Sequence, residues 1–151
     1  YINKPAETLA AWKNLWYHSG DLGYLDDDGF VFFVGREAHW IRRRGENVSA
    51  FEVEKAMTAH PAVIDCAVVG VPSDIGEEDI KAYIQLSEDE ATPEPMELVE
   101  WCQDRIAFFK VPRYMEFVTE FPRTMTKNEI ARHELRERGV GDAIDVLPDN
   151  R

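Results

Sequence analysis

GREAHWIRRRGENVSAFEVE, residues Gly35 to Glu54, is the stretch on which the reading of this fold turns. Its first half reads as strand: Gly35 closes the run Phe30 to Gly35, and His39 to Arg44 forms another strand ending at Gly45. Its second half reads as helix. Ser49 followed by Glu52 is a capping box, and Phe51, Val53, Ala56 and Met57 supply an apolar face until His60-Pro61 stops it. Strand alternation sends Arg42 and Arg44 to one face and Arg43 to the other. Three consecutive arginines also reverse the sign of charge locally, since the 151 residues carry 17 Lys and Arg against 29 Asp and Glu, a net charge of −12.

Upstream, an aromatic-rich segment with Trp12, Trp16 and Tyr17 leads into a turn at Ser19-Gly20. Two short strands, Gly23 to Leu25 and Phe30 to Gly35, are joined through Asp26-Asp27-Asp28-Gly29, whose closing Asp-Gly is a hairpin signal. Downstream the type of element alternates. Ala62 to Val71 and Ile80 to Leu86 read as strands, separated by the turn-rich Pro72 to Asp79. Thr92-Pro93 opens a helix with Met96, Val99 and Ile106 at helical spacing; Tyr114 to Thr119 is a strand, and Ile130 to Arg138 a last helix ending at Gly139. The mixture predicts an α+β fold, helices packed on a mixed or antiparallel sheet.

Composition narrows the function classes. With 44% hydrophobic and 30% charged residues the chain is an ordinary globular sequence, long enough to bury a core without disulfide staples. An acidic surface repels phosphate backbones and anionic lipid, so nucleic-acid and membrane-surface binding are not expected. The longest apolar runs are too short for a membrane span, and no leader opens the chain, so the expected compartment is the cytoplasm. Cys66 and Cys102 lack C-x-x-C spacing and read as buried structural thiols. His18, His39, His60 and His133 form no i, i+4 pair, so no metal site or Ser/His triad is expected. The opening at Tyr1, without an initiator Met, suggests part of a longer protein.

Three clusters carry chemistry. In Tyr17-His18-Ser19-Gly20-Asp21-Leu22 a carboxylate stands beside a glycine, suited either to accepting hydrogen bonds from a ribose diol or to holding its own turn. Gly35-Arg36 and Arg42 to Glu46 offer guanidinium forks suited to phosphate, or else a solvated strand end. Pro122-Arg123-Thr124-Met125-Thr126-Lys127-Asn128-Glu129-Ile130 is a polar loop whose lysine can reach an anionic centre or stay solvated.

Taken in order, these elements resemble the C-terminal end of the adenylate-forming superfamily of acyl-CoA synthetases, luciferases and peptide-synthetase adenylation domains. Tyr17 to Leu22 is similar to the Y-x-[ST]-G-D-L element, and Gly35 through Glu54 to the G-R-x-x-x-x-I-x-x-x-G-x-x-[IV] element with its E-[IV]-E helix. Phe109-Lys110-Val111-Pro112 and Pro122-Arg123-Thr124 complete the series. The wording of Gly45 to Val48, with Phe109 to Pro112, most resembles acyl-CoA synthetases of the carnitine and crotonobetaine ligase type.

The resemblance implies an enzyme that activates a carboxylic acid with Mg-ATP to an acyl-adenylate and passes the acyl group to CoA. A large N-terminal domain would hold the acyl pocket and Mg2+ ligands, and a small C-terminal domain would rotate between half-reactions. Residues 1–37 would then be the last hairpin of the large domain, 38–136 the mobile domain and 137–151 a tail. Asp21 and Arg36 would bind the ATP ribose region; Arg43, Arg44, Gly45 and Glu46 would face CoA in the thioester-forming pose. The family's hinge position falls on Ala38 instead of a charged residue. The family's catalytic lysine precedes the Ile of its last motif; Glu129 occupies that position here, so the catalytic role would fall to the nearest lysine, Lys127, with the loop longer by a residue or two. Expected partners are a small carboxylic acid, CoA and the missing large domain, and the fragment alone would be inactive. Two other readings stand beside it: a non-catalytic α+β module binding CoA or a carrier protein, and an adenylation domain that delivers to a carrier.

Overall fold

The computed structural model describes residues 1–73, 76–125 and 127–147, so Asp74 and Ile75 of the turn-rich connection, Thr126 of the lysine loop and residues 148–151 lie outside the described residues. The chain divides into two compact units, Tyr1–Ala38 and His39–Arg151.

In the first unit, helix α1 (Pro5–Ala11) carries proline at its first turn, where a missing N–H is tolerated. Strands β1 (Trp12–Lys13) and β2 (Trp16–Tyr17) pair antiparallel around Asn14 and Leu15, both at positive φ. The expected hairpin follows as β3 (Asp21–Leu25) and β4 (Val31–Arg36). Its turn is held by the Asp26 carboxylate, which accepts the N–H groups of Asp28 and Phe30 at 3.1 and 2.9 Å. A bulge after Leu22 brings the Phe32 carbonyl so close that a Cβ on Gly23 would lie 2.7 Å from its oxygen; glycine is required there. Tyr24, Leu25, Phe32 and Phe33 are all exposed.

The second unit begins with β5 (Trp40–Arg43) and β6 (Glu46–Ser49), paired Arg43 to Glu46 across a two-residue turn. Arg44 at φ 50° and Gly45 at φ 81° give the positive φ at both central positions that a tight hairpin turn needs to match strand twist. The expected strand ending at Gly45 is therefore half of a hairpin. Its partner was hidden because Glu46, Asn47 and Ser49 have weak strand propensity. Helix α2 (Ala50–Thr58) follows at once, but the expected capping box does not form: Ser49 makes no side-chain cap, and Glu52 instead binds the Lys110 ammonium at 2.7 Å. A charged tertiary partner has outcompeted a local one.

Strands β7 (Val63–Pro72) and β8 (Glu78–Leu86) pair antiparallel, β9 (Tyr114–Phe117) runs parallel to β8, and β10 (Ile144–Asp145) closes the order β10-β9-β8-β7. Alternation sorts the two long strands. Cys66, Val68, Ile80, Ala82 and Ile84 join Val53 and Met57 of α2 and Leu98, Val99 and Cys102 of α3 (Pro95–Gln103) in the main core. Ala67, Val69, Val71 and Tyr83 join Phe121 and Leu135 of α4 (Arg132–Glu137) in a second core. Helix α3 starts later than Thr92-Pro93, because Glu94 and Glu97 form the reciprocal capping box with Pro95 at the first turn. The segment read as a tail supplies β10 and the buried Val146, whose N–H donates to Arg113 O at 2.9 Å.

Candidate functional site

Asp21 opens β3 and Arg36 ends β4, in register as direct partners. The Arg36 Nε donates to Asp21 Oδ1 at 2.8 Å, with the two side chains 45% and 39% exposed. The turn before them is held otherwise: Gly20 sits at φ 77°, and Ser19 Oγ accepts the Asp21 N–H at 3.1 Å. The Asp21 carboxylate is thus not spent on its own turn. With one oxygen on a guanidinium and the side chain well exposed, the pair offers an acceptor for hydroxyls beside a cationic fork, the donor and acceptor set that a nucleotide ribose fits.

The arginine run splits: alternation along β5 turns Arg42 and Arg43 to opposite faces, and Arg44 sits in the turn. Arg42 is exposed, its Nη1 donating to Asn47 Oδ1 at 3.0 Å and its N–H to Glu78 Oε2 at 3.1 Å. Arg44, Gly45 and Glu46 form the exposed hairpin tip, where the Gly45 N–H donates to Glu77 Oε2 at 2.9 Å. Arg44 makes no hydrogen bond or ion pair among the described residues. Arg43, grouped with them on the sequence as a CoA-facing residue, points inward and is 3% exposed. Its Nε donates to Asp79 Oδ1 at 3.1 Å, and its Nη1 donates to the carbonyls of Phe109 and Val111 at 2.9 and 2.8 Å. Burial lowers the Arg43 pKa while Asp79 opposes it; the arginine remains a cation because its ordinary value is so high. Arg113 completes the network with Nη1 on Asp79 at 2.9 Å and a fork on Asp145, whose hydrogen bonds raise its pKa. A side chain so enclosed cannot reach a bound ligand directly.

Lys127 lies on a loop closed at its base. Arg123 and Ile130 form an antiparallel bridge, the Thr124 N–H donates to Glu129 O at 2.8 Å, and the Ala131 N–H donates to Pro122 O at 2.8 Å. The Arg123 Nη1 adds a bond to Asn128 O at 3.1 Å. Both Lys127 and Glu129 are exposed. The helix that follows is pinned at both ends. At its start Arg132 grips Glu54, its Nη2 donating to both carboxylate oxygens at 2.8 and 2.9 Å and its Nε to Oε1 at 3.2 Å, and Glu54 also accepts the Val68 N–H from the sheet edge at 2.8 Å. Past its end the fully buried Lys81 donates to the carbonyls of Gly139 and Val140 at 2.9 Å each and pairs with Glu116 at 2.7 Å.

The structure brings Asp21 to Arg36 in the first unit, and gathers Arg44, Gly45 and Glu46 at one tip in the second. Sequence reasoning missed the supporting charges Asp79, Lys81, Arg113 and Asp145. Lys81 left a readable signal, a lone charge inside the apolar run Ile80 to Leu86. Both cysteines are free and buried, as expected; burial pushes Cys102 up to about 11 and Cys66 well above its ordinary value. Among the described residues no group of three or more His, Cys, Asp or Glu is arranged to hold a metal, and no helix is long and apolar enough to cross a membrane.

The chain is similar to known proteins over most of its length. Residues 52–128, just over half of the chain, match the AMP-binding enzyme C-terminal domain. The crotonobetaine/carnitine–CoA ligase of Proteus mirabilis (strain HI4320) is 42% identical over 88% of this chain and 26% of its own length. That of Salmonella typhi is 41% identical over 88% and 26%. The chain therefore spans about a quarter of the length of these relatives. Among solved structures, an o-succinylbenzoate–CoA synthetase from Bacillus subtilis, in complex with its acyl-adenylate intermediate, superposes with a TM-score of 0.81. The identity is 32% over 90% of this chain and 27% of that one. An amide bond synthetase from Marinactinospora thermotolerans gives 0.80 at 31% identity over 91% and 28%. The small α+β fold, the order of its motifs and these likenesses place the chain in the AMP-binding enzyme C-terminal domain family.

Proposed function

We propose that this chain is the C-terminal part of a cytoplasmic AMP-forming acid–thiol ligase, which converts a carboxylic acid to an acyl-adenylate with ATP and then to an acyl-CoA. The observation that supports it most is the 42% identity to a crotonobetaine/carnitine–CoA ligase over 88% of the chain, which includes the Asp21–Arg36 pair and the Arg44-Gly45 tip. On this reading Asp21 accepts the ribose hydroxyls of ATP and Arg36 holds its carboxylate in place. The guanidinium of Arg44, without a hydrogen bond or ion pair among the described residues and held at a positive φ uncommon for its residue type, meets phosphate of CoA, and Gly45 and Glu46 line the same tip.

The unit from His39 onward turns about Ala38 between the two half-reactions, and the exposed aromatic face of residues 1–38 belongs against the rest of a large domain. That domain supplies the acyl pocket and the Mg2+ ligands. The 151 residues alone are then inactive. Lys127 provides the positive charge for the adenylation transition state from the tip of its closed loop, because Glu129 carries the wrong sign for that task.

Pyrophosphate exchange by the full-length ligase tests this assignment. Lys127→Ala is expected to lower adenylation by about a hundredfold and Glu129→Ala to leave it near wild type. Equal losses in both variants, or none in Lys127→Ala, would reject it.

A further inference from the structure

We propose that Arg43 is a positioning residue for thioester formation, a buried clamp that fixes the Arg44-Gly45 tip against the Phe109–Val111 segment. The inference rests on the ligase reading above. Arg43 immediately precedes the tip and pairs with Glu46 across it, so its side chain anchors the strand end from which the turn springs. One nitrogen, Nη1, donates to the carbonyls of both Phe109 and Val111, at 2.9 and 2.8 Å. Those carbonyls flank Lys110, which is itself tied to Glu52 of α2. The tip, the Phe109–Val111 segment and α2 are therefore joined through two cations, one of them buried.

Asp79 gives the clamp its geometry. It accepts Arg43 Nε on one oxygen and Arg113 Nη1 on the other, and Arg113 forks onto Asp145 of β10. Two arginines and two aspartates balance in charge, so the buried guanidinium is paired and oriented at once. Lysine cannot reproduce this arrangement, because a single ammonium lacks the planar fork that reaches a carboxylate in one direction and two carbonyls in another. A guanidinium 3% exposed cannot meet the cofactor, so its effect passes through the placement of Arg44 and Gly45.

The test uses the full-length ligase and separates the half-reactions: pyrophosphate exchange for adenylation, and acyl transfer from preformed acyl-adenylate with CoA varied. Arg43→Lys is expected to leave exchange within about twofold of wild type and to lower the maximal rate of transfer about tenfold or more, as small misplacements do. Its KM for CoA and the salt dependence of that KM should stay close to wild type, whereas Arg44→Ala should raise KM and flatten its salt dependence. The double variant Arg43→Met, Asp79→Asn removes both charges together and provides a second clamp-deficient protein that leaves no lone buried ion. It should show the same split.

A raised KM with unchanged maximal transfer in Arg43→Lys would mean direct CoA contact and overturn the proposal. So would both half-reactions falling in parallel with thermal stability, which marks a role in folding alone, or both remaining unchanged. A wild-type ligase that forms no acyl-adenylate from ATP and any carboxylic acid would overturn the functional reading and this inference with it.

Discussion

Replacing Arg132 by Met removes the cation that grips Glu54 with two nitrogens, and leaves that carboxylate, 12% exposed, facing Cys66 and the sheet edge without a counter-charge. Breaking a buried pair from one side is costly because the surviving charge cannot be rehydrated. At the lower end of the usual range, fitting for an arginine that is 26% exposed, the loss is about 3 kcal/mol. With a urea dependence of about 1.5 kcal/mol per molar, the unfolding midpoint of the 151-residue chain should fall by about 2 M. Glu54→Gln removes the charge but keeps an oxygen for the Val68 N–H, so its cost should stay near 1 kcal/mol.

Acidity separates the two variants further. Burial raises the Glu54 pKa above its ordinary value, outweighing Arg132 and the Val68 amide, which lower it. A carboxyl whose pKa is raised by folding contributes stability below its unfolded pKa, and that contribution is lost as pH rises through the folded value. Without Arg132 the folded value climbs higher. The gap between wild type and Arg132→Met should therefore be widest near pH 8 and narrow toward about pH 5 as Glu54 takes up its proton. Urea titrations followed by circular dichroism at several pH values measure it. A loss under about 1 kcal/mol, a gap that does not change with pH, or Glu54→Gln costing as much as Arg132→Met would refute the reasoning.

Tyr83→Phe deletes the buried hydroxyl that donates to Leu135 O at 2.9 Å and leaves that carbonyl unpaired; a loss of about 1 to 1.5 kcal/mol in the same urea assay is expected. Cys66 and Cys102, buried and with raised pKa values, should resist alkylation at about pH 8 in the folded chain and react only when denaturant opens the core. Rapid labelling of either thiol without denaturant, followed by mass spectrometry, would contradict their burial.

Much of the second unit was legible because its strands are covered on both faces. Ala62 to Val71 and Ile80 to Leu86 are apolar almost without interruption, and β7 and β8 fall within two residues of those limits at each end. Elements that depend on long-range partners were not legible. The β6 strand is built from poor strand formers and exists because β5 pairs with it across a positive-φ turn. The two-residue β10 exists because Tyr114 and Met115 offer it a free edge. At the candidate site, Asp21, Arg36 and the Arg44-Gly45 tip were found from local motifs. The inward turn of Arg43 was half visible, since alternation already set it apart from Arg42 and Arg44.

By itself the sequence determined the class of fold, the order of its main strands and helices, the family and the residue types available for nucleotide and phosphate. These depend on periodicity, turn chemistry and short motifs, which are local properties of the chain. Only the tertiary structure decided which charges face solvent and which hold the fold together. Asp79 meets Arg43 and Arg113 from positions more than thirty residues away, and Lys81 meets the carbonyls just past α4 from still farther. Whether an arginine serves as ligand or as clamp depends on which carboxylates and carbonyls the folded chain brings beside it, and no spacing along the chain encodes that distance.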